Sequence, residues 1–337
     1  MVSLPRLALL VLASFLVLVC ARGTVRHEPD AAYPSMAAAV ATAVRAQAAV
    51  GDRIIGPEYT EITTTLGPLA AKKLSLHPDF AALAVRYLLA AGVGPGDRVA
   101  VNFSGSFPAI NIAVLAAIQA VGAEPAITSS VGASTWGAGD PAYTWLDIEQ
   151  TLAGQGLWPW RSAAASVGGV GDVGGGLTPE GVAAARAAIS RAGVAEMMPA
   201  DLGEAVALRL AVYRRDGLLP AALVNVGGSH VIFGRRGHES PLRQALTAGY
   251  SPRRHATDGL AAPFIDNNRP VIHFLNIGQL AAVNGIKADN PPGTSAVMYT
   301  RTVPAATRLA VTVWLAVACS VLWYGGRRKE WWRGPCR

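Results

Sequence analysis

Ser104, Gly105 and Ser106 are the residues best placed for chemistry, between the strand-like run 98–103 (RVAVNF) and Pro108, after which a dozen apolar residues follow. A buried strand that ends in small polar residues and feeds straight into a helix presents hydroxyls and backbone N–H groups at the positive end of the helix dipole. Two chemistries fit that corner. In the first, Ser104 or Ser106 is the nucleophile of an acyl transfer or hydrolysis, and the helix N-terminus supplies oxyanion donors. In the second, the corner holds an anion with neither a nucleophile nor a base. The G-x-S-x-G spacing of a nucleophile elbow is absent, since Asn102 and Phe103 precede Ser104, and a satisfied turn is the ordinary role of such serines. Of the histidines, His230, His238, His255 and His273 are partners by number only.

The same pattern recurs along the chain. The short run 124–129 (EPAITS) leads to Ser129, Ser130, Gly132 and Ser134; the run 219–226 leads to Asn225, Gly227, Gly228 and Ser229; the run 270–277 ends on Asn276 and Gly278. Four strands separated by helices, each closing on Ser, Asn or Gly, predict an α/β fold with a mainly parallel, Rossmann-like sheet, flanked by helices and carrying one polar rim. The intervening helices are expected over 34–50, 78–91, 141–150 with Asp140 as its cap, 178–192 and 201–215. Thr63, Thr64 and Thr65, flanked by Glu58 and Glu61, offer more polar handles than a connector needs. Lys72, Lys73 and Arg161 add positive charge suited to carboxylate or phosphate. With Ser104, Gly105, Ser106, Ser129, Ser130, Asn225, Gly227 and Gly228 they form the expected ligand-binding set.

The glycine-dense run 168–176 lacks G-x-G-x-x-G in a strand-to-helix context, so it is a flexible lid or a backbone cradle rather than a dinucleotide site. His and acidic residues never reach metal-ligand spacing, and His238 and Glu239 are adjacent, so they cannot share a helical face. Neither a metal nor a cofactor is expected.

The 337-residue chain has a net charge of +7, but the basicity belongs to its ends. Residues 1–22 carry +2, Arg308 adds one and residues 327–337 carry +4, which leaves residues 23–304 neutral. A charge-balanced centre without a basic stripe argues against a nucleic-acid partner. Residues 7–21 (LALLVLASFLVLVCA) fit a signal peptide or short signal anchor, and residues 309–324 (LAVTVWLAVACSVLWY) a transmembrane helix with Trp323, Trp331 and Trp332 at the interface. The basic tail RRKEWWRGPCR keeps the C-terminus cytoplasmic and the domain extracytoplasmic. The expected organisation is a signal segment 1–22, a linker and Ala-rich helix 23–52, an α/β domain 53–303, a transmembrane helix 304–326 and a cytoplasmic tail 327–337. Cys20, Cys319 and Cys336 all lie in or beside the apolar ends, so the domain has neither disulfide nor thiol nucleophile.

Five strings carry a resemblance: IIGPEYTEITTTLGPLAAKKLSLHPDFAAL (54–83), VNFSGSFPAINIAVLAA (101–117), SSVGASTWGAGDPAYTWLDIE (129–149), RSAAASVGGVGDVGGGLTPEG (161–181) and LVNVGGSH (223–230). Together they resemble the bacterial poly-gamma-glutamate system protein family over most of residues 50–280. The resemblance implies a membrane-anchored accessory protein that works beside the membrane subunits of the poly-γ-glutamate synthase in making and exporting that capsule polymer. It implies no catalytic residue. A polymer with a carboxylate on every unit suits a rim of N–H groups, Thr hydroxyls and Lys72, Lys73 or Arg161. The alternative is a surface serine hydrolase that trims the polymer or cell-wall peptides.

Overall fold

The computed structural model describes residues 11, 13–15, 17, 26–235, 250–251 and 258–327. The chain divides into two compact units, Ala31–Met298 and a smaller one drawn from Met1–Asp30 and Tyr299–Arg337. His238, His255, Glu239, most of the N-terminal apolar run, Cys20 and the basic tail with Cys336 lie outside the described residues.

In the larger unit, beside a short antiparallel pair of Gly139–Asp140 with Tyr143–Thr144, the strands are β1 (Thr63–Thr65), β2 (Arg98–Ser104), β3 (Glu124–Ser130), β4 (Ala133–Ser134), β5 (Ala164–Ser166), β6 (Ala195–Glu196), β7 (Ala222–Val226), β8 (Tyr250–Ser251) and β9 (Val271–Phe274). The helices are α1 (Tyr33–Val50), α2 (Leu69–Ser75), α3 (Asp79–Ala90), α4 (Pro108–Val121), α5 (Trp145–Gly154), α6 (Pro179–Ala192), α7 (Leu202–Tyr213), α8 (His230–Phe233), α9 (Ala261–Asp266) and α10 (Ile277–Asn284). The main sheet runs β8-β9-β7-β2-β3-β5-β6, six strands parallel and β8 antiparallel at one edge. β1 and β4 pair separately in parallel. The α/β expectation holds, and the parallel sheet is larger than the four strands legible in sequence. β5 and β6 are not legible in sequence because Ala-Ala-Ser and Ala-Glu carry no β-branched residue; pairing with β3 on one side and β6 on the other makes a strand of the first.

Helices α1, α3 and α4 pack together. The Ala-rich α1 therefore belongs to this unit, with Ala39, Ala43 and Ala46 wholly buried so that helix backbones approach closely. α4 is buried on nearly every side, which explains its uninterrupted apolar sequence; Pro108 opens it and Gly122, at φ 73°, ends it in the left-handed cap. Elsewhere Ala100, Leu223 and Val271 of the sheet join α7, α8 and α9 in a continuous core with Leu210, Phe233 and Phe264. Phe264 and Ile265 anchor α9 in that core.

One helix starts later than its sequence implies. Asp140 accepts from the Ala142 N–H at 2.9 Å and so makes a local turn rather than a cap. Thr144 begins α5 instead, in a capping box with Asp147, whose carboxylate accepts from the Thr144 N–H at 2.7 Å. Arg191 donates to that carboxylate and holds it well below the usual range despite partial burial.

The smaller unit pairs Arg26–Pro29 antiparallel with Tyr299–Thr302 and contains the helix Ala305–Arg327, on which Trp314 Nε1 donates to Ser14 Oγ at 3.1 Å. Leu309, Val313, Leu315 and Val317 of this helix are exposed. Among the described residues no helix is long and apolar enough to cross a membrane, so the expectation of terminal transmembrane helices is not supported.

Candidate functional site

Strand register places two polar rungs across the carboxyl ends of the sheet. His273, Asn225, Asn102 and Thr128 stand side by side on β9, β7, β2 and β3, and Ser104, Ser130 and Ser166 do so on β2, β3 and β5. The chain leaves β2 toward β3, β5 and β6 and later returns to its other side through β7 and β9. That reversal opens a crevice at the strand ends, where open α/β sheets carry ligands. A cavity of about 400 Å³ occupies the spot, lined by Thr64, Thr65, Ser104, Ser106, Ser130, Ser134 and Ser229, by Gly132, Gly168, Gly169 and Gly228, and by Asp172. The first residues of α10 and the residue preceding α4 also line it, so two helix N-termini face the space. Leu66 and Val170 line the cavity and remain exposed.

Beneath this wall lies Lys72, only 2 % exposed. Its ammonium donates to Ser134 Oγ at 2.7 Å and to the Ser106 carbonyl, and the Phe107 ring centre is 3.8 Å from Nζ. The ring face favours the charged form, but burial pushes the amine down from 10.5 to about 7. The Ser134 N–H in turn donates to Ser106 Oγ at 3.1 Å. α2 delivers the lysine: α10 packs against it, and the hydroxyl of Ser75 donates back to the Lys72 carbonyl at 2.7 Å.

Ser104 sits differently. Its hydroxyl donates to the Val226 carbonyl at 3.3 Å and faces Gly227, whose φ is 97° and whose imagined Cβ would stand 2.6 Å from Ser104 Oγ. Glycine is required there by both backbone and space. Gly105 is similarly confined, a Cβ at its position coming within 2.7 Å of the Val131 carbonyl. Neither Ser104 nor Ser106 has a hydrogen bond from its hydroxyl to a side-chain base among the described residues, so the geometry gives no support to either as an activated nucleophile.

The cavity floor is a buried ion pair. Arg209, on α7, donates to Asp172 Oδ2 at 2.6 Å, to Asn102 Oδ1 at 3.0 Å and to Ser166 Oγ at 3.0 Å, while Ser166 donates to Asp172 Oδ1 at 2.8 Å. Asn102 passes the chain to Asn225, 2.6 Å away, and Asn225 lies 2.7 Å from His273 Nδ1. Asp172 takes φ 66°, unusual for a residue with a side chain, and the glycine-dense loop holds it there. That loop is closed by Val170 N to Gly175 O and Gly174 N to Gly168 O, both 2.8 Å. It is therefore a cradle and not an open lid.

Of the expected ligand-binding residues, Thr64, Thr65, Ser104, Ser106, Ser130 and Gly228 meet at the cavity, and Lys72 stands behind it. Gly105, Asn225 and Gly227 shape its walls. Thr63, Ser129, Lys73 and Arg161 do not reach it: Thr63 Oγ1 accepts from the Thr60 N–H, Ser129 is sealed against Ser162, and Lys73 and Arg161 are exposed. Sequence reasoning missed the pairing of Lys72 with Ser134, 62 positions away, and the Asp172–Arg209 floor. For Arg209 a signal existed: an arginine on the apolar side of an amphipathic helix needs a buried partner.

No family model, no curated protein and no solved structure matches this chain.

Proposed function

We propose that the chain is a membrane-associated, extracytoplasmic accessory component of poly-γ-glutamate synthesis or export, which holds segments of that polymer in the cavity at the sheet's carboxyl edge and works beside the membrane subunits of the synthase. The observation that carries this reading is the lining itself: seven hydroxyl-bearing residues, close-approaching glycines and two helix N-termini converge on one space. Such a lining donates hydrogen bonds to carboxylates without a fixed positive charge, which suits a long polyanion that must be held and released. The aliphatic faces of Leu66 and Val170 are placed to meet the two methylenes of each γ-glutamyl unit. Tethering rests on the apolar terminal runs and the basic tail.

Calorimetric titration of the full chain with γ-glutamate oligomers, and with α-linked oligomers of the same length, tests the ligand. Saturable binding of the γ-linked oligomer, at least about tenfold tighter than the α-linked one, is expected; equal affinities would remove the polymer from the proposal. Protease added to spheroplasts tests the location, and a domain that survives while exposed controls are cut would place it elsewhere.

A further inference from the structure

We propose that Ser134 and Lys72 form a nucleophile and general base, and that the cavity is the active site of an amide-bond hydrolase. The amine lies 2.7 Å from Ser134 Oγ, within the reach a base needs for the proton it removes. Ser134 lines the cavity whereas Lys72 does not, so the nucleophile faces incoming ligand and the base is shielded behind it. Among the described residues Lys72 has no carboxylate partner; its amine meets the Ser134 hydroxyl, the Ser106 carbonyl and the Phe107 ring. A structural lysine at such depth ordinarily has an acid beside it. α10, the helix packed on α2, has no titratable residue, so burial alone moves the amine toward neutrality, the form a base requires.

In the first step neutral Lys72 takes the proton of Ser134 Oγ as that oxygen bonds to the amide carbonyl carbon. The oxyanion develops beside the N-terminal end of α4, which Ser106 and Phe107 precede on the cavity wall. Collapse breaks the C–N bond, and the Lys72 ammonium gives its proton to the departing amine. Water then attacks the resulting serine ester, again losing a proton to Lys72, and Ser134 leaves with that proton while the carboxylic acid is released. The substrate class, a γ-glutamyl amide, rests on the polymer reading above; the acyl-transfer chemistry does not.

The full-length protein is treated with a fluorophosphonate, and the adduct is located by peptide mass spectrometry. In parallel, γ-glutamyl-p-nitroanilide and γ-glutamate oligomers are assayed for release of nitroaniline and shorter chains. A stoichiometric adduct on Ser134 is expected, lost in Ser134→Ala. Labelling should slow by about 10²- to 10⁴-fold in Lys72→Met and, in the parent, rise with pH through a midpoint near 7. Thermal melts confirm that both variants fold. An adduct on Ser106, or labelling indifferent to Ser134, overturns the assignment. If oligomers bind and nothing is labelled or cut, catalysis falls while the binding reading stands. If Ser134 is labelled and nitroanilide is cleaved but oligomers neither bind nor shorten, the polymer falls and the dyad stands.

Discussion

Lys72 and Glu149 are both buried titratable groups shifted by burial to about 7, yet their surroundings differ. Glu149 is wholly enclosed, and its carboxylate accepts from the Ser162 N–H, the Ser162 hydroxyl and Trp145 Nε1, each at 3.0 Å. Ser129 closes that cluster at 2.7 Å from Ser162 Oγ, so the carboxylate has protein donors on both oxygens and no route to a ligand. Lys72 shares its amine with a hydroxyl on a cavity wall. The cavity and the sealed cluster take consecutive residues of β3: Ser130 faces the cavity and Ser129 the sealed cluster, because side chains alternate along a strand. A shifted pKa therefore marks a working group only where the group reaches open space.

The largest effect is expected beneath the cavity. Arg209→Met leaves Asp172 as an uncompensated buried charge and should cost about 3–5 kcal/mol in urea unfolding. A loss below about 1 kcal/mol would mean that the floor is not the support of the cavity side. On the sealed side, Glu149→Ala strands three buried donors and should cost about 3 kcal/mol, while Ser134 is labelled at the parental rate in the folded fraction. Labelling that collapses with Glu149 would erase the distinction between the two clusters.

The pH dependence of stability should run in opposite directions at the two sites. For Lys72 the unfolded chain holds a proton between about 7 and 10.5 that the native chain lacks, so the burial penalty is full below about 7 and fades as pH rises. Lys72→Met should accordingly gain most on its parent near pH 6 and lose that gain toward pH 10. For Glu149 the native chain keeps a proton between 4.5 and about 7 that the unfolded chain has lost, so the penalty grows across that interval and Glu149→Gln should gain on its parent from pH 5 to 8. Paired urea midpoints across pH read both, and parallel slopes would show that the two groups do not titrate as their burial implies.

Gly227→Ala should cost about 1–2 kcal/mol, from positive φ and the clash with Ser104, and should weaken oligomer binding at the same corner. Smallest is Ser129→Ala, expected to cost about 1 kcal/mol by chemical denaturation and to leave oligomer affinity as it was. A drop in affinity there would connect the sealed cluster to the cavity.

Much of this was legible before any coordinates. Strand runs ending in Ser, Asn or Gly, followed by Pro-opened and Gly-closed helices, announce a parallel sheet with a polar rim, because local backbone preferences and hydrophobic period are properties of neighbouring residues. Ser104, Ser106 and Ser130 were recognisable for that reason and do meet at one cavity. The sequence could not say that Lys72 would face Ser134 rather than solvent, or that Lys73 would take the exposed place beside it. Which of two adjacent lysines is buried depends on how α2 rolls against α10, and which serine on β3 faces the cavity depends on strand register. Those are relations between segments tens of residues apart, and chain-local chemistry is the same on either outcome. The sequence by itself determined the layers and the polar rim; the tertiary structure alone decided which hydroxyl received a base.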